Sequence, residues 1–172
     1  MHREERANFI RLVLGLGFLV LIVAVCHVRH LMGVEPRHYT EYHRQLLPLH
    51  NLNLLAVQWA MVAAFGPGLA FGLVCFFLCR GGEAKPISFW SVLPFAVGLL
   101  LAVEALSLGV AAWSVAVFRE TGAPLFPESL FPELTPGIVY TQSANLVLPV
   151  AACLLSVAFF AALWRRRFRS QR

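Results

Sequence analysis

Apolar residues gather along this chain in four long runs, at about 9–28, 54–79, 88–118 and 143–164, separated by polar segments. A helix needs roughly 20 apolar residues to cross the hydrocarbon core of a bilayer, and each run reaches that length. Only helices and closed barrels satisfy their backbone in lipid, and none of the runs alternates with period two. The pattern therefore predicts an all-α, polytopic membrane protein: a single four-transmembrane-helix bundle spanning residues 1–172. The third run is about ten residues longer than a crossing requires, so it must tilt or project from one face.

The polar segments set the organisation. Residues 80–87 (RGGEAKPI) read as a short hairpin whose Gly-Gly and Pro stop both helices, making spans two and three antiparallel neighbours. About 25 residues join spans one and two, and about 24 join spans three and four. The second of these carries Pro124, Pro127, Pro132 and Pro136, which exclude a long helix or central strand. Phe126, Leu130, Phe131 and Tyr140 are expected to dip that segment into the interface, so that the two loops form a small extracytoplasmic cap. Gly68 and Gly72, with Ala64 a turn earlier, and Ala105 with Gly109, mark faces where helices can approach closely.

Composition agrees and adds a direction. The 172 residues are 59% apolar and 13% charged, against about half and about a quarter in ordinary soluble domains. The surplus must face lipid. Ten basic residues (Arg3, Arg6, Arg11, Arg80, Lys85, Arg165, Arg166, Arg167, Arg169 and Arg172) fall on one side of the four spans. Four (Arg29, Arg37, Arg44 and Arg119) fall on the other. The positive-inside rule then places both termini in the cytoplasm, with a bacterial inner membrane as the expected location. Trp59, Trp90, Trp113 and Trp164 fall near span ends, as an aromatic belt requires. Residues 22–30 lack a small-x-small cleavage pattern, so the first span is read as retained. The pI of about 9.5 follows from these arginines and calls for no nucleic-acid partner.

Candidate chemistry is sparse. Asp is absent, and no phosphate loop, Ser-His-Asp set or zinc-protease motif occurs, so the chain reads first as a non-enzyme. Five of six histidines lie within residues 27–50: His27, His30, His38, His43 and His50. Imidazole is the commonest side-chain ligand for zinc, copper and haem iron, so a metal or haem on the cytoplasm-distal face is one reading. Interfacial histidines bonding water and headgroups are the other. Glu104 is the sharper anomaly, a carboxyl in the middle of the third span with no basic residue close to it in the spans. Counting from span ends places it level with Gly15, Gly17, Gly66–Gly68 and Ser156. A protonated Glu104 donating to the carbonyl that Pro67 frees, or to Ser156, is expected there, with Ser107 on the same helix. Asn51, Asn53, Gln58, Gln142 and Asn145 make a polar mouth at the starts of spans two and four. A quinone headgroup, a lipid headgroup or a partner subunit could dock there, while helix capping accounts for the same residues.

The four-span layout is similar to that of the disulfide-generating quinone reductases, whose chemistry needs cysteine pairs in loops. Cys26, Cys75, Cys79 and Cys153 all fall within spans, so that chemistry is excluded and the thiols read as packing residues. The layout also resembles that of the small anthrone-oxygenase-like membrane proteins, in the arrangement of spans alone. Three functions follow, in order: a non-catalytic accessory or assembly subunit, joined to a membrane partner or to further copies of itself; a histidine-based metal, haem or redox protein; and a small proton- or ion-coupled transporter using Glu104.

Overall fold

The structure is a computed structural model describing residues 3–43, 46–82 and 85–169, the side chains of Arg3, Phe168 and Arg169 excepted. Among the arginines used above for direction, Arg44 and Arg172 lie outside the described residues, as do residues 83–84 of the expected hairpin. The elements are α1 (Arg3–Phe9), a π-helical turn (Ile10–Gly15), α2 (Leu16–Val34), α3 (Arg37–Thr40), α4 (Leu52–Arg80), α5 (Phe89–Thr121), a 3-10 turn (Glu128–Leu130) and α6 (Pro136–Arg169). Four helical stretches are long and apolar enough to cross a membrane: Glu4–Val34, Leu52–Arg80, Phe89–Thr121 and Pro136–Arg167. The chain is therefore read as a multi-pass integral membrane protein.

Each stretch buries less than a third of its most apolar window within the protein. The rest is exposed and greasy, with Phe18, Phe77, Leu154 and Val157 each more than half exposed. An apolar exterior of that extent fits a lipid surrounding.

Local chemistry fixes the helix ends. The Asn51 side-chain oxygen accepts from the amides of Asn53 (2.9 Å) and Leu54 (3.3 Å), capping α4. Thr135 caps α6 through a bond from the Ile138 amide (3.3 Å). Gly122 ends α5 at φ +75°, a conformation costly for any residue with a Cβ. The fourth span thus begins at Pro136, seven residues before the expected position 143, and Tyr140 is helical instead of dipping from a loop. Proline is well tolerated in the first turn, where its missing N–H has no helical partner anyway.

The contacts divide into two compact units. The terminal unit comprises 1–24, 60–101 and 153–172; the histidine unit comprises 25–59 and 102–152. In the terminal unit Leu12, Leu16, Cys75, Cys79, Val92, Ala96 and Leu163 form a buried core. Gly72 lies so close to the π-helical turn that an added Cβ would stand 2.5 Å from the Val13 carbonyl oxygen. A Cβ on Gly68 would stand 3.0 Å from the Gly17 carbonyl oxygen. The expected packing face along Gly68 and Gly72 is present, whereas a Cβ on Gly109 would meet no atom within 4 Å. Arg80 pairs with Glu5. The buried Arg167 donates to the carbonyls of Leu78 (2.7 Å) and Phe77 (3.4 Å), in the last turn of α4 where helix carbonyls lack partners.

The histidine unit has a second core, around Leu31, Met32, Tyr39, Leu55, Ala56, Ala111 and Ala144. Phe131, Ile138 and Val139 form a third cluster with Val115, Phe118 and Phe126 against it. Cys75 and Cys79 are buried as packing residues, while Cys26 and Cys153 are exposed, and all four are free thiols.

Candidate functional site

The polar residues of the histidine unit fall into two sets. In the first, His27 on α2 faces Glu104 on α5, its Nδ1 lying 2.9 and 3.0 Å from the two carboxylate oxygens. His27 is 2% exposed and Glu104 22%. The other ring nitrogen of His27, Nε2, is buried and has no hydrogen-bond partner among the described residues. One turn further along α2, His30 lies 3.2 Å from the hydroxyl of Tyr140 on α6, and Tyr140 is within electrostatic reach of Glu104. Four proton-exchanging side chains from three helices thus share one neighbourhood, buried at His27 and open at His30.

This arrangement corrects the sequence reading of Glu104. Its partner is His27, not Ser156 or the carbonyl freed by Pro67. The error lay in counting from helix ends as though they were flush. Glu104 lies 17 residues before the end of α5, at Thr121, whereas His27 lies only seven before the end of α2, at Val34. At 1.5 Å per residue, α5 continues about 15 Å further past the pair than α2 does. Ser107, also on α5, is fully buried and donates to the Ala144 carbonyl (3.0 Å), and Ser143 bonds Ser114 (2.9 Å).

The second set lies beyond α2. The Tyr39 hydroxyl donates to Asn145 Oδ1 (3.1 Å), and the Asn145 amide donates to His38 Nε2 (3.0 Å). Accepting at Nε2 places the neutral His38 proton on Nδ1, which is buried without a partner among the described residues. Burial lowers the His38 pKa to about 4, helped by nearby His43, and raises the Tyr39 phenol to about 12. His43 Nδ1 donates to the His38 carbonyl (2.7 Å). Its ring stacks on Tyr39 at 5.4 Å and meets Trp59 edge-on at 5.1 Å. Trp59 is therefore a core aromatic, whereas Trp90, Trp113 and Trp164 are more than half exposed. Arg37 bonds Glu35 (3.1 Å) and Glu133 (3.2 Å), holding the Glu35 carboxyl below the usual carboxylate range. Tyr42 also donates to Glu133 (2.6 Å), which raises its own pKa.

The five clustered histidines are thus split among different partners, and His50 is exposed. Among the described residues no three His, Cys, Asp or Glu side chains converge as a metal site. The polar mouth is likewise a set of fastenings. Asn51 caps α4, Asn53 accepts from Arg29 (2.6 Å), Gln58 accepts from the Leu47 amide (3.0 Å), and Gln142 donates to the Leu130 carbonyl (2.8 Å). Sequence reasoning missed Tyr140 and the His27–Glu104 pairing. The one available signal was the shared α2 face of His27 and His30, three residues apart. No family model, curated protein or solved structure matches the chain at a significant level.

Proposed function

We propose that this integral membrane protein exchanges a proton at the His27–Glu104 pair, as the centre of a small proton-coupled membrane carrier with both termini in the cytoplasm. The observation that carries this reading is the imidazole bonded to both oxygens of a carboxyl inside a membrane-crossing stretch. Ionisable side chains within membrane-crossing stretches are expensive, and proton relays and ion routes are among the functions they serve. A His–Glu pair can gain or lose one proton with little rearrangement, because either partner can hold the shared hydrogen. His30 and Tyr140 supply the open end of the same neighbourhood. The count of ten basic residues against four supports the orientation.

The test is proton movement in proteoliposomes carrying an internal pH dye. Wild-type protein is expected to relax an imposed pH gradient faster than empty vesicles, and Glu104→Gln to abolish the difference. Equal rates for wild type and Glu104→Gln would dismiss the carrier.

An accessory-subunit role is the second reading, favoured by the exposed α5 face at Ala105 and Gly109, where a Cβ on Gly109 would meet no atom within 4 Å among the described residues. Close helix packing uses such small residues. A partner co-purified from native membranes and lost in Gly109→Leu supports that role; retention in the variant removes this face from it.

A further inference from the structure

A cavity of about 350 Å³ lies in the histidine unit, apart from the His27–Glu104 pair. It is lined by His38, Tyr42, His43 and Gln142 and by residues 129–132. Its size falls at the lower end of the roughly 300–1,000 Å³ typical of small-ligand sites.

The hydrogen bonds already made around it decide what it can still accept. His43 spends its Nδ1–H on the His38 carbonyl, which leaves the Nε2 lone pair of the neutral ring free. Tyr42 spends its hydroxyl proton on Glu133, leaving oxygen lone pairs. Gln142 spends an amide hydrogen on the Leu130 carbonyl, leaving Oε1. Three lining side chains therefore retain acceptors, beside the second amide hydrogen of Gln142, so a ligand that brings a hydroxyl hydrogen can be held. His38, at 1% exposed, adds a buried Nδ1–H with no partner among the described residues, an omission that proteins rarely tolerate without a reason.

Charge and shape narrow the class further. Glu133 and Glu35 share the one Arg37 guanidinium, so the neighbourhood keeps a net negative charge, which opposes an anionic ligand. The lining also includes the rings of His38, Tyr42, His43 and Phe131, which suit a flat aromatic partner. The geometry points to a binding site for a neutral aromatic alcohol, a phenol or quinol ring whose hydroxyl donates to His43 Nε2. The site is independent of the proton-carrier reading and uses none of its residues.

The test titrates benzene-1,4-diol, under anaerobic conditions, into the full chain in lipid nanodiscs. Its comparator is 1,4-dimethoxybenzene, the same ring without a hydroxyl hydrogen. Saturable binding of one diol per chain is expected, with the dimethoxy ring at least tenfold weaker. His43→Phe keeps an aromatic ring beside Tyr39 and Trp59 but removes the acceptor, and is expected to weaken the diol at least tenfold. If that variant fails to fold, the comparison of the two probes on the intact chain decides alone. A decyl-tailed quinol separates the sources: tighter binding than the tail-less diol indicates a membrane quinol, and equal binding a water-soluble phenol, both supporting the site. Equal affinity for the diol and the dimethoxy ring, or no saturable binding of either, overturns it.

Discussion

His27 Nδ1 lies within 3.0 Å of both carboxylate oxygens of Glu104, a residue 77 positions away. Each side chain is the other's hydrogen-bonding partner in a region that offers little water. Removing one member strands the second, which costs far more than replacing both by apolar groups.

A double-mutant cycle tests this asymmetry. Glu104→Leu and His27→Leu are each expected to destabilise the protein in mild detergent, by about 3 kcal/mol. The double variant is expected to recover part of that loss, with a coupling of about 1–3 kcal/mol. Glu104→Gln retains one oxygen acceptor and is expected to lose less than Glu104→Leu. Thermal melting of wild type and the four variants gives the numbers, and additive losses in the cycle would show that the two groups do not depend on each other.

Stability should also fall in mild acid because of His38. Its folded pKa of about 4 lies below the ordinary 6.5, so between those values the unfolded chain binds a proton that the folded chain refuses. Stability is then full above about pH 6.5, declines as pH falls toward 4, and levels off below. The total is on the order of 3 kcal/mol. Melting temperature against pH, compared with His38→Gln, isolates the contribution: the variant's curve is expected to be flatter across that window. His43 and Glu35 face the same ring and are common to both proteins.

The glycines of α4 are not equivalent. Gly72→Ala places a Cβ against backbone atoms of Val13 that cannot swing away, so a loss of about 1–3 kcal/mol is expected. Gly66→Ala meets nothing within 4 Å and should be neutral or stabilising by up to about 1 kcal/mol, through helix propensity. Melting temperatures that move together would refute the close approach at Val13.

How much of this was legible in the chain depends on the kind of information each feature needs. The four spans were readable because an apolar run of some twenty residues is a local property. The Gly68–Gly72 face was readable for the same reason. The start of the last helix was not, since Pro136 signals a break or a first turn equally well, and Thr135 decides between them. The histidines announced themselves as a crowd, yet their division into His27–Glu104, His30–Tyr140 and His38–Asn145 depends on how neighbouring helices are rotated and offset. Single-span counting carries no such information, which is why Glu104 was given the wrong hydrogen-bond partner.

Arg167 tests the other unit. Its guanidinium answers two carbonyls in the last turn of α4, so Arg167→Met is expected to cost about 1–3 kcal/mol. Arg166, exposed and lying over the Phe95 ring at 5.4 Å, should cost at most about 1 kcal/mol on the same change. Comparable losses at both positions would mean that the C-terminal arginines act only as charges.

The most direct measurement of the central claim is infrared difference spectroscopy of the protein in lipid, between acid and alkaline buffer. The account predicts a carboxylic-acid carbonyl band that disappears on deprotonation, is missing in Glu104→Gln, and shifts in His27→Leu. A spectrum in which no carboxyl band depends on Glu104 would mean that the buried acid keeps one protonation state throughout, and the proposed proton exchange would be contradicted.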